Sequence, residues 1–309
     1  MMSKKAIFYT TAAIALTIVI IVTYSTYSTR RLSDSMDVVQ TRIETVNFFI
    51  KDVEKDLSKG VFIAGFRTLL SFNELIVSNG TYLDDVNLRF NEAFLSGTLY
   101  NQPASLMQSS TFIDWANKIS AEANKIDVVF NYTINSIRIN QSDPWSIDVG
   151  LNLTLDVRDK KNISYWIRDR YLVINIKITG FEDPLYIINS NGRITNPIIQ
   201  TNITQFVVNG NVANLLKHTN NSYYTAHNDS PSFLMRLEGN LGNSTYGIES
   251  LVNLAEFQDQ GLTINDRSIV DYIYFGTQNT INFRINATPS WFKIDQNHLD
   301  FYQVTNITI

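Results

Sequence analysis

Residues 6–24 read AIFYTTAAIALTIVIIVTY and contain neither a charged residue nor a proline. A helix of this length spans about 28 Å, close to the roughly 30 Å thickness of a bilayer's hydrocarbon layer. Each threonine hydroxyl can bond a carbonyl one turn back, which makes threonine tolerable in lipid. No second apolar run of this length follows. The sequence therefore predicts one transmembrane helix over residues 6–28, preceded by a cytoplasmic tip over residues 1–5.

The charges beside this run do not set its orientation, because Lys4 and Lys5 precede it while Arg30 and Arg31 follow it. A cleaved signal peptide is the alternative interpretation, since it also has a basic start and an apolar middle. However, the run is longer than the usual apolar region of a signal peptide, and no small-x-small cleavage site follows it. We therefore expect an uncleaved anchor.

A seven-residue rhythm of apolar side chains continues after the anchor. Its members are Leu32, Met36, Val39, Ile43, Val46, Ile50, Val53 and Leu57. This a/d pattern predicts a helical stalk over residues 29–60 that is continuous with the anchor. Two interpretations stay open. The seam can join two copies of the chain, with Met36 to Leu57 as the contact, or it can be the first core helix of the body.

The body changes character at about residue 126. Residues 61–125 show helical spacing, including a predicted helix over residues 61–76 and another that Ser110 could cap. Residues 126–309 show short alternating strands instead, which predicts a β-rich extracytoplasmic head. The expected fold class is α+β: a long N-terminal transmembrane and stalk helix, a helical segment, then an antiparallel β-rich head.

Particular elements of the head can also be predicted. The predicted strands are residues 147–157, 172–178, 269–275 and 281–285. Asn191-Gly192 predicts a hairpin turn, because both residues tolerate positive φ. Helices are expected around residues 232–237 and 248–257.

Composition excludes several classes of protein. With a net charge of −4 and 17% charged residues, the 309-residue chain has no basic stripe for nucleic acid. A hydrophobic content of 44% predicts a folded core. The chain has no cysteine, which excludes disulfides, thiolate metal sites and cysteine nucleophiles. Exported animal proteins of this size usually contain disulfides, so the composition favours a prokaryotic surface.

Asn-x-Ser/Thr triplets place the body outside the cytoplasm. They begin at Asn79, Asn131, Asn140, Asn152, Asn162, Asn202, Asn220, Asn228, Asn243, Asn286 and Asn306. About half would arise by chance in a chain so rich in Asn, Ser and Thr, but none falls in the anchor or just after it. Asn152 lies on the predicted solvated face of strand 147–157, where a glycan could fit. We therefore expect an N-glycosylated, extracytoplasmic body and a cytoplasmic N-terminus.

The basic start, apolar helix and long helical continuation resemble type IV pilins and pilin-like surface proteins of archaea over residues 1–60. The resemblance implies processing after Ala6 and assembly into filaments, although Thr11 stands where the family has an acidic residue. Three further strings resemble uncharacterised anchored archaeal surface proteins. They are FEDPLY (residues 181–186), PSFLMRLEG (residues 231–239) and GIESLV (residues 247–252).

Histidines are the residues to weigh for a metal site. They are His218, His227 and His298, with Asp229 and Glu238 as nearby carboxylates. Their spacing matches neither a helical i,i+4 pair nor a zinc finger. We therefore expect ordinary loop or surface histidines and no metal site.

Catalytic motifs are missing from the sequence: it has no nucleophile elbow, no phosphate-binding loop and no dinucleotide fingerprint. Ser232 could receive a base from His227, but Ser230 or Ser232 capping the next helix is the simpler interpretation. Glu182 and Asp183 are candidates for paired carboxylates, against an Asp-Pro turn. We expect no catalytic residue, no cofactor and no enzymatic activity.

A loop-like segment and several aromatic residues are weaker candidates for binding. Residues 189–192 resemble a calcium loop but lack its acidic ligands, so a turn is expected there. Aromatic residues that could stack on sugars are Trp145, Tyr165, Trp166, Tyr223, Tyr224 and Trp291. The first functional hypothesis is an anchored surface protein for display, adhesion or pilus-like assembly, with the bilayer as partner and its surface partner unknown. The alternatives are a tethered receptor or carbohydrate-binding module and a tethered hydrolase.

Overall fold

The computed structural model describes residues 4–309, with the side chains of residues 8–31 and 36–309. Predictions about residues 1–3, or about the side chains of Lys4, Lys5, Ala6 and Leu32, lie outside the described residues. The architecture is α+β, with one long apolar helix at the N-terminus followed by small antiparallel sheets.

The N-terminal helix α1 runs without a break over Lys4–Asn79. It is the one helix among the described residues that is long and apolar enough to cross a membrane, and none of its apolar window is buried. Gly60 does not interrupt the helix, although the predicted stalk ended there. A Cβ at this position would lie 2.7 Å from the Trp115 ring. The glycine therefore allows close packing of an aromatic ring rather than ending the stalk.

The threonines of the apolar segment bond as predicted. Thr17 donates its hydroxyl to the Ala13 carbonyl at 2.8 Å, and Thr23 donates to the Val19 carbonyl at 2.7 Å. Each hydroxyl is thus satisfied within the helix, which removes most of the cost of placing it in hydrocarbon.

The heptad seam divides into two parts. Its first part is exposed: Met36, Val39 and Ile43. Its second part is buried in the chain: Val46, Ile50, Val53 and Leu57. The buried part therefore serves as a core helix face, one of the two interpretations left open, and only the exposed part is free to meet another molecule.

The chain divides into two compact units, each made from three segments. The first consists of Met1–Asp56, Ile119–Tyr132 and Leu155–Arg168, and the second of Leu57–Lys118, Thr133–Thr154 and Asp169–Ile309. The other helices are α2 (Val86–Ser96), α3 (Phe112–Lys125), α4 (Pro184–Asn189), α5 (Ala213–Asn220), α6 (Phe233–Leu237), α7 (Leu254–Asp259) and α8 (Asp271–Phe275). The strands are β1 (Thr98–Leu99), β2 (Gln102–Pro103), β3 (Val128–Asp143), β4 (Ser146–Asp159), β5 (Tyr165–Lys177), β6 (Tyr224–Ala226), β7 (Ile248–Ser250), β8 (Asn282–Arg284) and β9 (Lys293–Asp295).

The largest sheet has the strand order β3-β4-β5. Its central strand β4 confirms the predicted alternation, since the apolar side chains from Ile147 to Val157 are all buried. On the opposite face the Thr154 hydroxyl donates to Asp169 at 2.6 Å and accepts from Asn135 at 3.2 Å. The remaining sheets pair β1 with β2, β6 with β7, and β8 with β9. After β5 every named strand has three residues, so the expectation of a β-rich head holds only in part.

Two predicted elements differ in type from those observed. Residues 269–275, expected as a strand, form helix α8 after a bridge between Leu251 and Val270. Residues 248–257, expected as a helix, form strand β7 and then helix α7. Short apolar runs fit a buried strand and a buried helix equally well, so periodicity could not separate them.

Two local predictions need correction as well. Asn191 and Gly192 do adopt positive φ, at 53° and 73°, but they follow helix α4 and end it instead of joining strands. Helix α3 is capped by Thr111 rather than Ser110. The Thr111 hydroxyl accepts from the Asp114 amide at 3.0 Å, and the Asp114 carboxylate accepts from the Thr111 amide at 3.1 Å.

An arginine clamp ties the first unit together. Arg42 on α1 donates through Nε to the carboxylate of Asp159 at 2.8 Å, and through its terminal nitrogens to the carbonyls of Ile126 and Asp127. Burial by itself raises the pKa of Asp159, but the Arg42 guanidinium outweighs it and the pKa is lowered. The helix, the end of β4 and the end of α3 are therefore fixed by one guanidinium.

We expect Arg42→Leu to destabilise the first unit by about 3 kcal/mol, because it leaves the buried Asp159 carboxylate unpaired. This is the lower end of the usual range, since the Arg42 side chain is 19% exposed. Hydrogen exchange of the Lys161 amide, which donates to Asp159 at 2.8 Å, measures the effect. Arg158→Ala, which breaks only the exposed pair with Asp156, is the control and should cost less than about 0.5 kcal/mol. Equal protection in both variants would contradict the clamp.

Candidate functional site

Two short strands place a histidine beside a glutamate. Strands β6 and β7 pair antiparallel with Thr225 opposite Glu249. His227 follows β6 directly, and its amide donates to the Gly247 carbonyl at 3.1 Å. Because side chains alternate along a strand, His227 shares the face of Thr225 and becomes a diagonal neighbour of Glu249. His227 Nδ1 lies 3.0 Å from Glu249 Oε2.

Gly247 makes this approach possible. A Cβ at this position would lie 2.0 Å from the Ser230 carbonyl oxygen and 2.4 Å from that of His227. Both contacts are with backbone, which cannot rotate away as a flexible side chain could. The glycine that opens the GIESLV string is therefore a packing requirement for bringing the His227 backbone against β7.

A second histidine comes from the other end of the chain. Strand β9 ends at Asp295, which caps the following 3-10 turn by accepting from the Asn297 amide at 3.1 Å. That turn carries His298, whose Nδ1 lies 2.8 Å from Asp295 Oδ1. Asp295 Oδ2 accepts from the Ser268 hydroxyl at 2.8 Å. Asp295 thus holds the imidazole by Nδ1 and leaves Nε2 facing Glu249.

Glu249 lies at the centre of this group and is fully buried. Its Oε1 accepts a hydrogen bond from the Tyr302 hydroxyl at 2.7 Å. Its Oε2 lies 3.0 Å from His227 Nδ1 and 3.3 Å from His298 Nε2, yet it has no hydrogen bond, and neither has His227 Nδ1. Two imidazole nitrogens and one carboxylate oxygen therefore lie together, all within 4.8 Å of one another.

The charges of the group depend on one another. Burial by itself raises the pKa of Glu249, but the two histidines outweigh it and hold the pKa at about 2. Burial lowers the pKa of His298, but Asp295 and Glu249 outweigh it and raise the pKa to about 10. Burial and the Glu249 carboxylate both raise the pKa of Tyr302, so its hydroxyl keeps the proton that it donates.

The group reaches solvent on the side of His227, whose side chain is 17% exposed. A depression of about 480 Å³ adjoins it, lined by Ala226, His227, Asn228, Asp229 and Phe301. The Phe301 ring packs against the His227 imidazole with a centroid separation of 4.4 Å. Small solutes can therefore reach His227, whereas Glu249 and His298 lie behind it.

A second buried polar group lies next to this one and is centred on Arg236. The Arg236 guanidinium is fully buried and donates to Asp183 at 2.6 Å, to Asp271 at 2.9 Å and to the Ile248 carbonyl. Tyr224 adds a hydroxyl donor to Asp183 at 2.8 Å. FEDPLY supplies Asp183, PSFLMRLEG supplies Arg236 and GIESLV supplies Ile248. The three strings therefore meet at this group of buried charged residues, called the ion group below.

Two elements serve both groups. On β7, Glu249 turns toward the histidines while Ser250 donates its hydroxyl to Asp271 at 2.8 Å. On α8, Asp271 binds Arg236 while the Tyr272 hydroxyl lies 3.2 Å from His298 Nε2. The position of the histidine group therefore depends on the ion group beside it.

The other histidine and the nearby carboxylates lie elsewhere. His218 is buried on α5, with Nδ1 3.3 Å from the Thr201 hydroxyl. The Glu238 carboxylate accepts from the Val86 amide at 2.7 Å. Asp229 lines the depression beside His227. The structure thus brings together two of the three histidines with a carboxylate that sequence spacing did not single out.

Glu249 was missed because its partners are distant in sequence. The available signal was its place inside the apolar string GIESLV, since a charged side chain within a buried strand requires partners. Asp183 caps α4 by accepting from the Leu185 amide at 2.9 Å, and it also binds Arg236. Ser232 occupies the N-cap position of α6 without a side-chain cap bond, and Ser230 donates to the His227 carbonyl.

The remaining candidates are dispersed. Tyr224 is buried at the ion group, Trp291 packs on the core and Tyr165 is exposed. Residues 189–192 form the end of α4 rather than an ion-binding loop, with Ser190 as its C-cap. The triplet asparagines are exposed apart from Asn152, which is half-buried and accepts from Asn135 at 3.4 Å.

Comparison with known proteins adds no relative: no family model, curated protein or solved structure matches this chain. Functional conclusions therefore rest on the geometry of its own residues.

Burial lowers the pKa of His218 to about 4, well below its value of about 6.5 in an unfolded chain. Between these pH values the unfolded state binds the extra proton, so folding stability is full above about pH 6.5 and falls as the pH drops to about 4. The loss amounts to about 3 kcal/mol. We expect His218→Gln to flatten the dependence of the thermal midpoint on pH in this window.

Lys217→Gln is the matched control, because it changes the neighbouring exposed residue and leaves the His218 imidazole in place. It should keep the wild-type slope. Identical slopes in wild type and His218→Gln would show that His218 does not cause acid sensitivity.

Proposed function

We propose that the chain is a single-pass membrane protein that displays its body on the outer surface of the cell and acts there by contact. The observation that carries this proposal is the segment from Phe8 to Tyr24, whose large apolar side chains are exposed along a charge-free helix. Exposed apolar surface of this extent is unfavourable in water and favourable in lipid.

Glycosylation is the finer part of the proposal. The asparagines of the Asn-x-Ser/Thr triplets are accessible in the described chain, with only Asn152 half-buried. A glycan requires an accessible asparagine side chain. None of these triplets lies in the anchor. An outward-facing body and a cytoplasmic N-terminus are therefore the orientation we propose.

Self-association is a second finer proposal. Met36, Val39 and Ile43 form an exposed apolar row on α1, and Met36 is 70% exposed. Two copies could bury these rows against each other as helical a/d seams do. Pilus-like assembly would use this part of the helix, and display without assembly would leave it free.

The absence of cysteine makes orientation directly measurable. We expect Ser290→Cys, at an exposed position of the body, to react with a membrane-impermeant maleimide in intact cells. Ser3→Cys in the cytoplasmic tip is the matched control and should react only after lysis. Labelling of Ser3→Cys but not Ser290→Cys in intact cells would overturn the proposed orientation.

The intact mass of the same protein separates the finer proposals. Mass in excess of the polypeptide that is lost on Asn→Gln substitution at the triplets supports glycosylation. A chain that begins at Ile7 and is recovered in filaments supports pilus-like assembly, whereas an intact Met1 in a monomer supports a plain anchored surface protein.

A further inference from the structure

We propose that His227, Glu249 and His298 form a binding site for a divalent transition-metal ion of the zinc class. The ligand atoms are His227 Nδ1, Glu249 Oε2 and His298 Nε2. This inference goes beyond surface display and does not depend on the orientation of the chain in a membrane.

The spacing of the three atoms suits such an ion. Zinc binds imidazole nitrogen and carboxylate oxygen at about 2.0–2.2 Å, so adjacent ligands of a tetrahedral ion lie about 3.3–3.5 Å apart. The carboxylate oxygen lies 3.0 and 3.3 Å from the two nitrogens. All three ligand atoms lie within 4.8 Å of one another, so shifts of the side chains alone would bring them to the distances of a bound ion.

The unsatisfied atoms point to the same conclusion. Glu249 is fully buried, and its Oε2 contacts two imidazole nitrogens within 3.3 Å without an aligned hydrogen bond to either. His227 Nδ1 is likewise buried without a hydrogen bond. Buried polar atoms in native proteins almost always have partners. A cation among the three atoms would satisfy both.

The atoms that do not face the site are already occupied. Asp295 holds His298 by Nδ1, so Nε2 is the nitrogen that faces Glu249, beside the Tyr272 hydroxyl at 3.2 Å, and a carboxylate on the far nitrogen is common behind metal-binding histidines. Tyr302 holds Glu249 by Oε1, which leaves Oε2 to the ion. Ser268 in turn fixes Asp295. Asp295, Tyr302 and Ser268 therefore orient the ligand side chains, as the residues behind the ligands do in known metal sites.

The ligand types narrow the identity of the ion. Two imidazoles and one carboxylate suit zinc and other first-row divalent ions, whereas calcium and magnesium prefer oxygen alone. The depression beside His227 provides a path of entry from solvent. Three protein ligands also leave a further coordination position for water or another ligand.

Zinc binding by the full chain in detergent micelles tests the proposal. The protein should carry no polyhistidine tag and should first be stripped with a chelator. We expect one zinc ion per chain in a calorimetric titration, a raised thermal midpoint on zinc addition, and visible absorption bands when cobalt replaces zinc. The midpoint rises because an ion that binds only the folded state stabilises it.

His227→Gln is the decisive variant, since His227 is partly exposed and the least costly of the three ligands to replace. Its zinc affinity should fall at least about tenfold and its cobalt bands should vanish. Glu249→Gln should show the same fall in zinc affinity and the same loss of cobalt bands, provided that circular dichroism shows it to be folded. His218→Gln, which alters a buried histidine outside the group, is the control and should bind zinc as wild type does.

Three results would overturn the proposal: no saturable binding of one zinc ion by the wild-type chain, unchanged affinity in His227→Gln, or an equal loss in His218→Gln. The first would leave the group as a buried His-Glu-His network without an ion. The second would place the ion at another site.

Discussion

The fold of the second unit depends on one buried guanidinium. Arg236 lies out of contact with solvent, and it is held by Asp183 before α4, by Asp271 on α8 and by the carbonyl of Ile248 on β7. A buried charge is tolerable only when its partners are all in place, and removing one partner typically costs about 3–5 kcal/mol. Arg236 itself lies on α6. It therefore holds together four short elements, α4, α6, α8 and β7, none of which would be stable alone.

The histidine group follows from that constraint. Ser250 and Asp271 bond to each other beside Arg236, and this sets which way β7 and α8 face. Their sequence neighbours, Glu249 and Tyr272, are then directed to the opposite side, where His298 arrives from the end of β9. The Arg236 group is closed, since Asp183 and Asp271 share the guanidinium and each also accepts a hydroxyl hydrogen bond, while Glu249 Oε2 and His227 Nδ1 in the neighbouring group have no aligned hydrogen bond. A closed group suits a structural role, and an open one suits binding.

Local patterns predicted what depends on neighbours in sequence. The charge-free helix, its internally bonded threonines and the alternation of β4 all follow from periods of 3.6 and 2 residues. Helix α8 was predicted as a strand because a short apolar run fits both elements, and the contact of Asp271 with Arg236 joins residues thirty-five positions apart in sequence. Glu249 was not singled out for the same reason, since His227 and His298 come from distant segments. Spacing along a chain does not reveal side chains that only the fold brings together.

Two buried networks share β7 and α8, and in one of them we propose that two imidazole nitrogens and a carboxylate oxygen bind an ion. Anomalous diffraction at the zinc absorption edge, from crystals of the full chain grown with zinc, tests this most directly. The account predicts a peak about 2.0–2.2 Å from His227 Nδ1, Glu249 Oε2 and His298 Nε2, with Asp295 and Tyr302 in their present contacts. Zinc peaks only at other sites, with none among these three atoms, would contradict it.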